Sequence, residues 1–429
     1  MSKSKIVSRQ YLVPFIVITS LFALWGFAND ITNPMVAAFT TVMEISNVRA
    51  SLIQFAFYGG YATMAIPAAL FVQRFTYKKG IMVGLALYAC GTLLFYPAAK
   101  FQVFEYFLIA LYIMTFGLAF LETTANPYIL SLGSRETATR RLNLAQAFNP
   151  MGSLLGMFVA SRVVLASLKS DERDAAGNLI FPTLDESAKA AIKVNDLMVI
   201  RDPYLILGGV VIVMLIIIAL LKMPRTDNSS RIHFMPSLRR LIKNRVYREG
   251  VVAQIFYVAA QIMCWTFIIH YAENLGLDKS TAQMYNILAM TIFLVSRFVS
   301  TFLMKYINSR KLLMIFAFGG MFTILGTIFI QGMVGLYFLI ATSAFMSLMF
   351  PTIYGIALNK VGEDATLGAA GLVMAIVGGA LMPPMQGAII DLGQVGILPA
   401  VNASFVIPFI SFAVISVYGY RSMRFENEM

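Results

Sequence analysis

Twelve apolar runs, most of them twenty residues or longer, recur from one end of this chain to the other. A run of that length crosses a hydrocarbon layer of about 30 Å as a helix. Lipid offers a backbone no hydrogen-bond partners, so isolated spanning runs must close their N–H and C=O groups internally, which a helix does. The runs are Tyr11 to Phe39, Ala50 to Val72, Gly80 to Ala99, Phe104 to Leu132, Leu142 to Leu168, Pro203 to Met223, Gly250 to Tyr271, Thr281 to Met304, Leu312 to Ile330, Leu336 to Leu358, Gly368 to Ile390 and Ile397 to Tyr420. With 59% hydrophobic and only 13% charged residues among 429, the chain stands apart from soluble domains. The expected fold class is an all-α membrane protein with twelve transmembrane helices.

The first run is too long for a secretory leader and ends in polar helix residues, so no cleaved signal peptide is expected. Cys90 and Cys264 fall inside runs 3 and 7, where they suggest packing rather than a disulfide framework. Two His and two Cys cannot assemble a zinc site by themselves, and no Gly-rich phosphate loop ending in Lys and Ser/Thr is present. Neither a metal nor a cofactor is expected, nor is direct ATP drive, which leaves coupling to an ion gradient.

A net charge of +12 is compatible with nucleic-acid binding in general, but no soluble basic module carries it here. The basic residues sit between runs and report topology. Lys3, Lys5 and Arg9 precede run 1; Arg74, Lys78 and Lys79 follow run 2; Arg135, Arg140 and Arg141 follow run 4; Lys305, Arg310 and Lys311 follow run 8. All of these, with the basic stretch from Lys222 to Arg248, fall on one side, which the positive-inside rule makes cytoplasmic together with both termini.

That basic stretch divides the runs six and six, giving an N-terminal half over 1–223, a cytoplasmic linker over 224–249 and a C-terminal half over 250–429. PYILSLGSRETAT from Pro127 and PTIYGIALNKVGEDAT from Pro351 echo each other loosely, as do RFTYKKG and KYINSRK. Parallel repeats of this kind suggest a transporter whose site lies between two six-helix halves near mid-membrane. Ser170 to Asp202, rich in acidic residues, is expected to be a solvated loop on the far side, with a lid over the entrance as the second reading.

Ionisable groups within a bilayer are costly, so they usually face a cavity or a partner. Glu122 lies about nine residues before the last apolar residue of run 4, about 14 Å from that end. Burial there disfavours the charged form, which suits a group that gains and loses a proton. Asn126 follows one turn later. Run 1 offers Asn29, Asp30 and Asn33 just before Pro34, a cluster that either faces inward or marks a solvated helix end. Run 5 carries Asn143, Gln146 and Asn149 at steps of three, sweeping about 120° of helix. Run 7 carries Gln254, Tyr257, Gln261 and Trp265 on one stripe. Amides suit vicinal sugar hydroxyls, and an aromatic face suits the C–H face of a pyranose; the same residues also serve to join helix to helix. Two readings fit Arg297: snorkelling toward Lys305, or facing a cavity. His270 is expected at the membrane interface.

WGFANDITNP, IQFAFYGGYATMAIPA, FLETTANPYI, RLNLAQAFNPMGS, YVAAQIMCWTFIIHY and FMSLMFPTIYGIAL, in that order and on those runs, resemble the fucose:proton symporter family of the major facilitator superfamily. The resemblance covers nearly the whole chain. It implies the major facilitator fold, alternating access, a bacterial inner-membrane location, import of a hexose or 6-deoxyhexose, and proton coupling through the run 4 carboxylate, here Glu122. Its expected partners are a monosaccharide, protons and lipid, in a monomer. The sugar would be held by Asn29, Asn33, Asn126, Asn143, Gln146, Asn149, Tyr257, Gln261 and Trp265. Two positions depart from the pattern. Gln73 stands where the superfamily's loop usually has an acid, as it does in the fucose branch. Asn33 holds the place of the family's second membrane carboxylate, with Asp30 about one turn away as its expected substitute.

Other classes predict different features. A sodium-coupled or uncoupled glucose/galactose carrier would share this fold. A sugar sensor would need a larger cytoplasmic segment than this linker, and an intramembrane enzyme would need a paired nucleophile and base or paired carboxylates.

Overall fold

The computed structural model describes residues 6–7, 9–32, 35–45, 49, 52–172, 174, 180–223, 234–277, 279–359 and 361–427. Twelve helical segments in it are long and apolar enough to span a membrane: Arg9–Thr32, Phe55–Arg74, Tyr77–Phe101, Phe104–Ser131, Arg135–Ser167, Glu186–Leu220, Arg245–Ala272, Thr281–Leu303, Ser309–Phe329, Gly332–Leu358, Gly362–Ile390 and Ala400–Arg424. They are numbered spans 1 to 12 below. An even number of crossings leaves both ends of the chain on one side, called here the terminal side.

The buried apolar side chains form two clusters. One gathers spans 1 to 6, takes in the buried part of span 11 through Ala369, Ala370, Leu372 and Val373, and touches spans 7 and 10 at Tyr247 and Tyr354; the other gathers spans 7 to 10 and 12. Within the first, spans 1 and 5 meet backbone to backbone. A Cβ on Gly152 would lie 1.7 Å from Ala23 O, one on Gly26 would lie 2.0 Å from Asn149 O, and one on Gly156 would lie 2.7 Å from Phe27 O. Three glycines, two of them four residues apart on one face, allow this approach, as small residues commonly do between membrane helices.

Several sequence expectations need correction. The long far-side loop is half helix: span 6 starts at Glu186, not near Pro203, and runs unbroken for 35 residues with Pro203 inside it. SAKAAIKVNDLMVI is strongly helix-forming, and hydropathy alone could not see a helix that continues beyond the membrane. Asp196, fully buried, accepts from the backbone N–H groups of Lys169 (3.1 Å) and Ser170 (2.8 Å) and so ties that extension to the preceding chain. Cys264 packs as expected, whereas Cys90 is exposed on the outer surface of span 3. Span 12 begins at Ala400 because a short hairpin, Gln394–Val395 with Leu398–Pro399, precedes it. The linker also contains structure. Phe234–Lys243 forms a helix that buries Leu241, and Arg240 grips Asp364 at the start of span 11 through two hydrogen bonds of 2.8 and 2.7 Å.

Not every proline breaks its span. Pro67 and Pro127 sit inside continuous helices. Span 5 is interrupted between Ala138–Gln146 and Asn149–Val159, and span 10 between Gly332–Met346 and Met349–Leu358. These two interruptions bear on the site.

Candidate functional site

A cavity between spans 1 to 6 and spans 7 to 12 collects most of the polar residues singled out from sequence. Asn29, Asp30, Glu122, Gln146, Asn149, Tyr257, Gln261 and Trp265 line it. On its terminal side the two sets of spans are held together by hydrogen bonds. Asn143 Nδ2 donates to Thr352 Oγ1 (3.1 Å), Arg140 Nε donates to Thr301 O (3.2 Å), and the hydroxyls of Tyr77 and Thr366 lie 3.2 Å apart. The cavity stands on the far side of these bonds.

Glu122 occupies its wall with one partner behind it. Asn126, one turn on and fully buried, donates from Nδ2 to the Glu122 carboxylate at 2.6 Å and also to Glu122 O at 3.0 Å. Gln146 Nε2 in turn donates to Asn126 Oδ1 at 2.9 Å, linking span 4 to span 5. This chain orients the carboxylate but is a poor proton path, because a carboxamide can pass a proton on only by tautomerising. The cavity face is left as the approach to the Glu122 carboxylate.

Asn149 Nδ2 donates to Phe22 O (3.2 Å), tying the break in span 5 to span 1. Trp265 Nε1 donates to Ser343 Oγ (3.2 Å), and its ring meets Phe293 edge-on at 4.9 Å. Two other lining groups, Trp25 Nε1 and Tyr257 Oη, are buried and have no hydrogen-bond partner among the described residues. Buried donors usually have partners, so these two suit ligand acceptors.

Some expected residues lie elsewhere. Asn126 stands behind Glu122 rather than on the cavity surface, and Asn143 belongs to the terminal-side seal with Thr352. Gln254 is fully buried off the cavity, so the span 7 stripe contributes from Tyr257 onward. Asn33 lies outside the described residues. Arg297 does not snorkel: it is 3% exposed, lines the cavity, lies 4.5 Å from the Phe293 ring centre and donates to backbone carbonyls. His270 is exposed, as an interfacial residue would be. Sequence reasoning missed Trp25, Tyr58, Tyr61 and Phe293. Helical spacing carried a signal for them: Trp25 is one turn before Asn29, Tyr58 and Tyr61 are three apart, and Phe293 is one turn before Arg297.

The sequence model of the Major Facilitator Superfamily matches residues 16–383. The chain belongs to that superfamily. This superfamily member is 62% identical to an L-fucose-proton symporter of Haemophilus influenzae, over 98% of its own length and 99% of the relative. It is 32% identical to a glucose/galactose transporter of Brucella abortus, over 94% of its own length and 92% of the relative. Among solved structures, the major facilitator transporter FucP in the outward conformation superposes with a TM-score of 0.87 at 33% identity, covering 96% of this chain and 99% of that one. The superfamily member's twelve spans and its cavity, sealed toward the terminal side, accord with that likeness.

Proposed function

We propose that this protein is a secondary transporter that imports L-fucose or a closely related hexose together with a proton, by alternating access, and is not an enzyme. The observation that carries the reading is Glu122: a carboxylate on the wall of a cavity between two sets of six spans, held by a neutral amide, Asn126, rather than by a cation. Protonation from the far side would neutralise it while sugar enters, and release toward the terminal side would follow rocking of residues 1–223 against 250–429 about the linker over 224–249. Gln146, Asn149 and Gln261 present amides to sugar hydroxyls, Trp25 and Tyr257 present the unpaired donors, and Trp265 offers ring surface. Asn29 and Asp30 form the far-side end, where Asp30 takes the role of second carboxylate. The relatives named for L-fucose support this choice of sugar. The basic loops support a bacterial inner membrane with both termini cytoplasmic, and the site needs neither a second copy nor a cofactor.

A second reading, a glucose/galactose carrier with sodium coupling or none, draws support from the Brucella relative and from Asn33 at the place of a carboxylate. Proteoliposomes with an imposed pH gradient separate the two. Labelled L-fucose should accumulate without sodium, and unlabelled L-fucose should compete better than glucose or galactose. Accumulation that requires sodium, or preferential competition by galactose, would favour the second reading.

Within the site, the free indole N–H makes Trp25 the more consequential tryptophan for polar recognition. Trp25→Phe should weaken sugar binding by about tenfold, the size of one hydrogen bond to an otherwise unpaired buried donor. Trp265→Phe, whose N–H is already committed to Ser343, should cost less. Equilibrium binding of labelled L-fucose to the purified variants would check the order.

A further inference from the structure

The interruptions in spans 5 and 10 share a cause and a remedy. Pro150 and Pro351 have no N–H, so the carbonyls four residues earlier, Gln146 O and Ser347 O, lose the donors that a regular helix would have supplied. In a bilayer such carbonyls need another donor. One side chain reaches both. Arg297 of span 8 donates from Nε to Ser347 O and from Nη1 to Gln146 O at 3.0 Å. Ser347 belongs to the same six spans as Arg297, whereas Gln146 belongs to the other six. The bond to Gln146 O therefore crosses the face along which the two sets of spans meet. It also lands on the residue whose side chain holds Asn126, which in turn holds Glu122.

We propose that Arg297 is a positioning residue for transport, whose guanidinium clasps the carbonyls freed by Pro150 and Pro351 and thereby keeps the terminal side closed while setting the Glu122–Asn126–Gln146 chain. The proposal deepens the transport reading and rests on it for its role in the cycle. When the terminal side opens, Arg297 keeps Ser347 O and releases Gln146 O to water, so that opening and loosening of the Glu122 support occur together. A planar fork of donors spans two carbonyls; a lysine ammonium is a single point on a flexible stem and does not reproduce that geometry.

The test reads conformation without substrate. Ala370, fully buried in span 11 where it packs with the first cluster, is replaced by cysteine in a chain carrying Cys90→Ser and Cys264→Ala, and alkylation by an impermeant maleimide is followed from the terminal side. Arg297→Gln and Arg297→Lys should each raise the labelling rate by about tenfold, the range for loss of one charged hydrogen bond. They should also displace the pH profile of sugar exchange. Pro150→Ala returns an N–H to Gln146 O, so in that background Arg297→Gln should raise labelling by no more than about threefold, a non-additive pair. Unchanged labelling in the single variants, or an equal rise with and without Pro150, would overturn the assignment. If Arg297→Gln fails to fold, recovery of folded protein by Pro150→Ala supports the clasp and no recovery refutes it. Absence of L-fucose uptake by the unmodified chain would refute the transport reading for that sugar alone, because the labelling comparison needs no sugar.

Discussion

Replacing Glu122 by glutamine should abolish gradient-driven accumulation of sugar while leaving exchange across the membrane. Glutamine has the shape of the protonated acid and can still accept from Asn126, whose Nδ2 lies 2.6 Å from the native carboxylate. It cannot bind or release a proton. At one proton per sugar, each unit of pH gradient supplies about 1.4 kcal/mol, or about tenfold accumulation. The native chain should approach that ratio, and Glu122→Gln should fall to a ratio of one, with exchange rates that no longer vary with pH. Retention of accumulation by the variant would remove Glu122 from the coupling step, and Asp30 would then be the carboxylate to examine.

Gly152→Val should have the largest effect on folding. The contact it would invade is backbone, not a movable side chain: the first added carbon already falls 1.7 Å from Ala23 O. Spans 1 and 5 would have to separate, displacing Asn149 from Phe22 O and the cavity wall with it. Overpacking costs about 1–3 kcal/mol when side chains can adjust, and more is expected where they cannot. Loss of the monodisperse fraction on size exclusion, or a thermal midpoint lowered by many degrees, is the expected result. Gly209→Ala, on the outer surface of span 6 with nothing within 4 Å, is the control and should behave as the native chain does. Equal midpoints for the two variants would show that spans 1 and 5 do not depend on that contact.

The spans were legible because burial in lipid writes itself as length and apolarity: six of the twelve begin and end within four residues of their apolar runs, and five more within seven. Span 6 shows the limit. Its first third is polar, and helix beyond the membrane carries no hydropathy signal. At the site, Glu122, Gln146 and Gln261 stood out because polar atoms are rare in such runs. Asn126 and Asn143 stood out equally and yet hold helix to helix, since a polar residue in lipid needs a partner whether or not that partner is a ligand. Trp25 and Tyr58 were hidden for the opposite reason: an aromatic side chain is unremarkable in an apolar helix, and only the fold shows which one borders a cavity. The role of Arg297 could not be read from spacing, because its two partners are backbone atoms more than a hundred residues from one another.

The 35-residue helix that begins at Glu186 is about 52 Å long, well beyond the 30 Å of a bilayer interior. Its excess stands outside the membrane on one flank only, braced through Asp196. A rotation of a few degrees about an axis near mid-membrane would sweep the tip of such a mast through several ångströms. A spin label or fluorophore on an exposed position there, such as Val194, therefore turns small tilts of one bundle into distances that spectroscopy resolves.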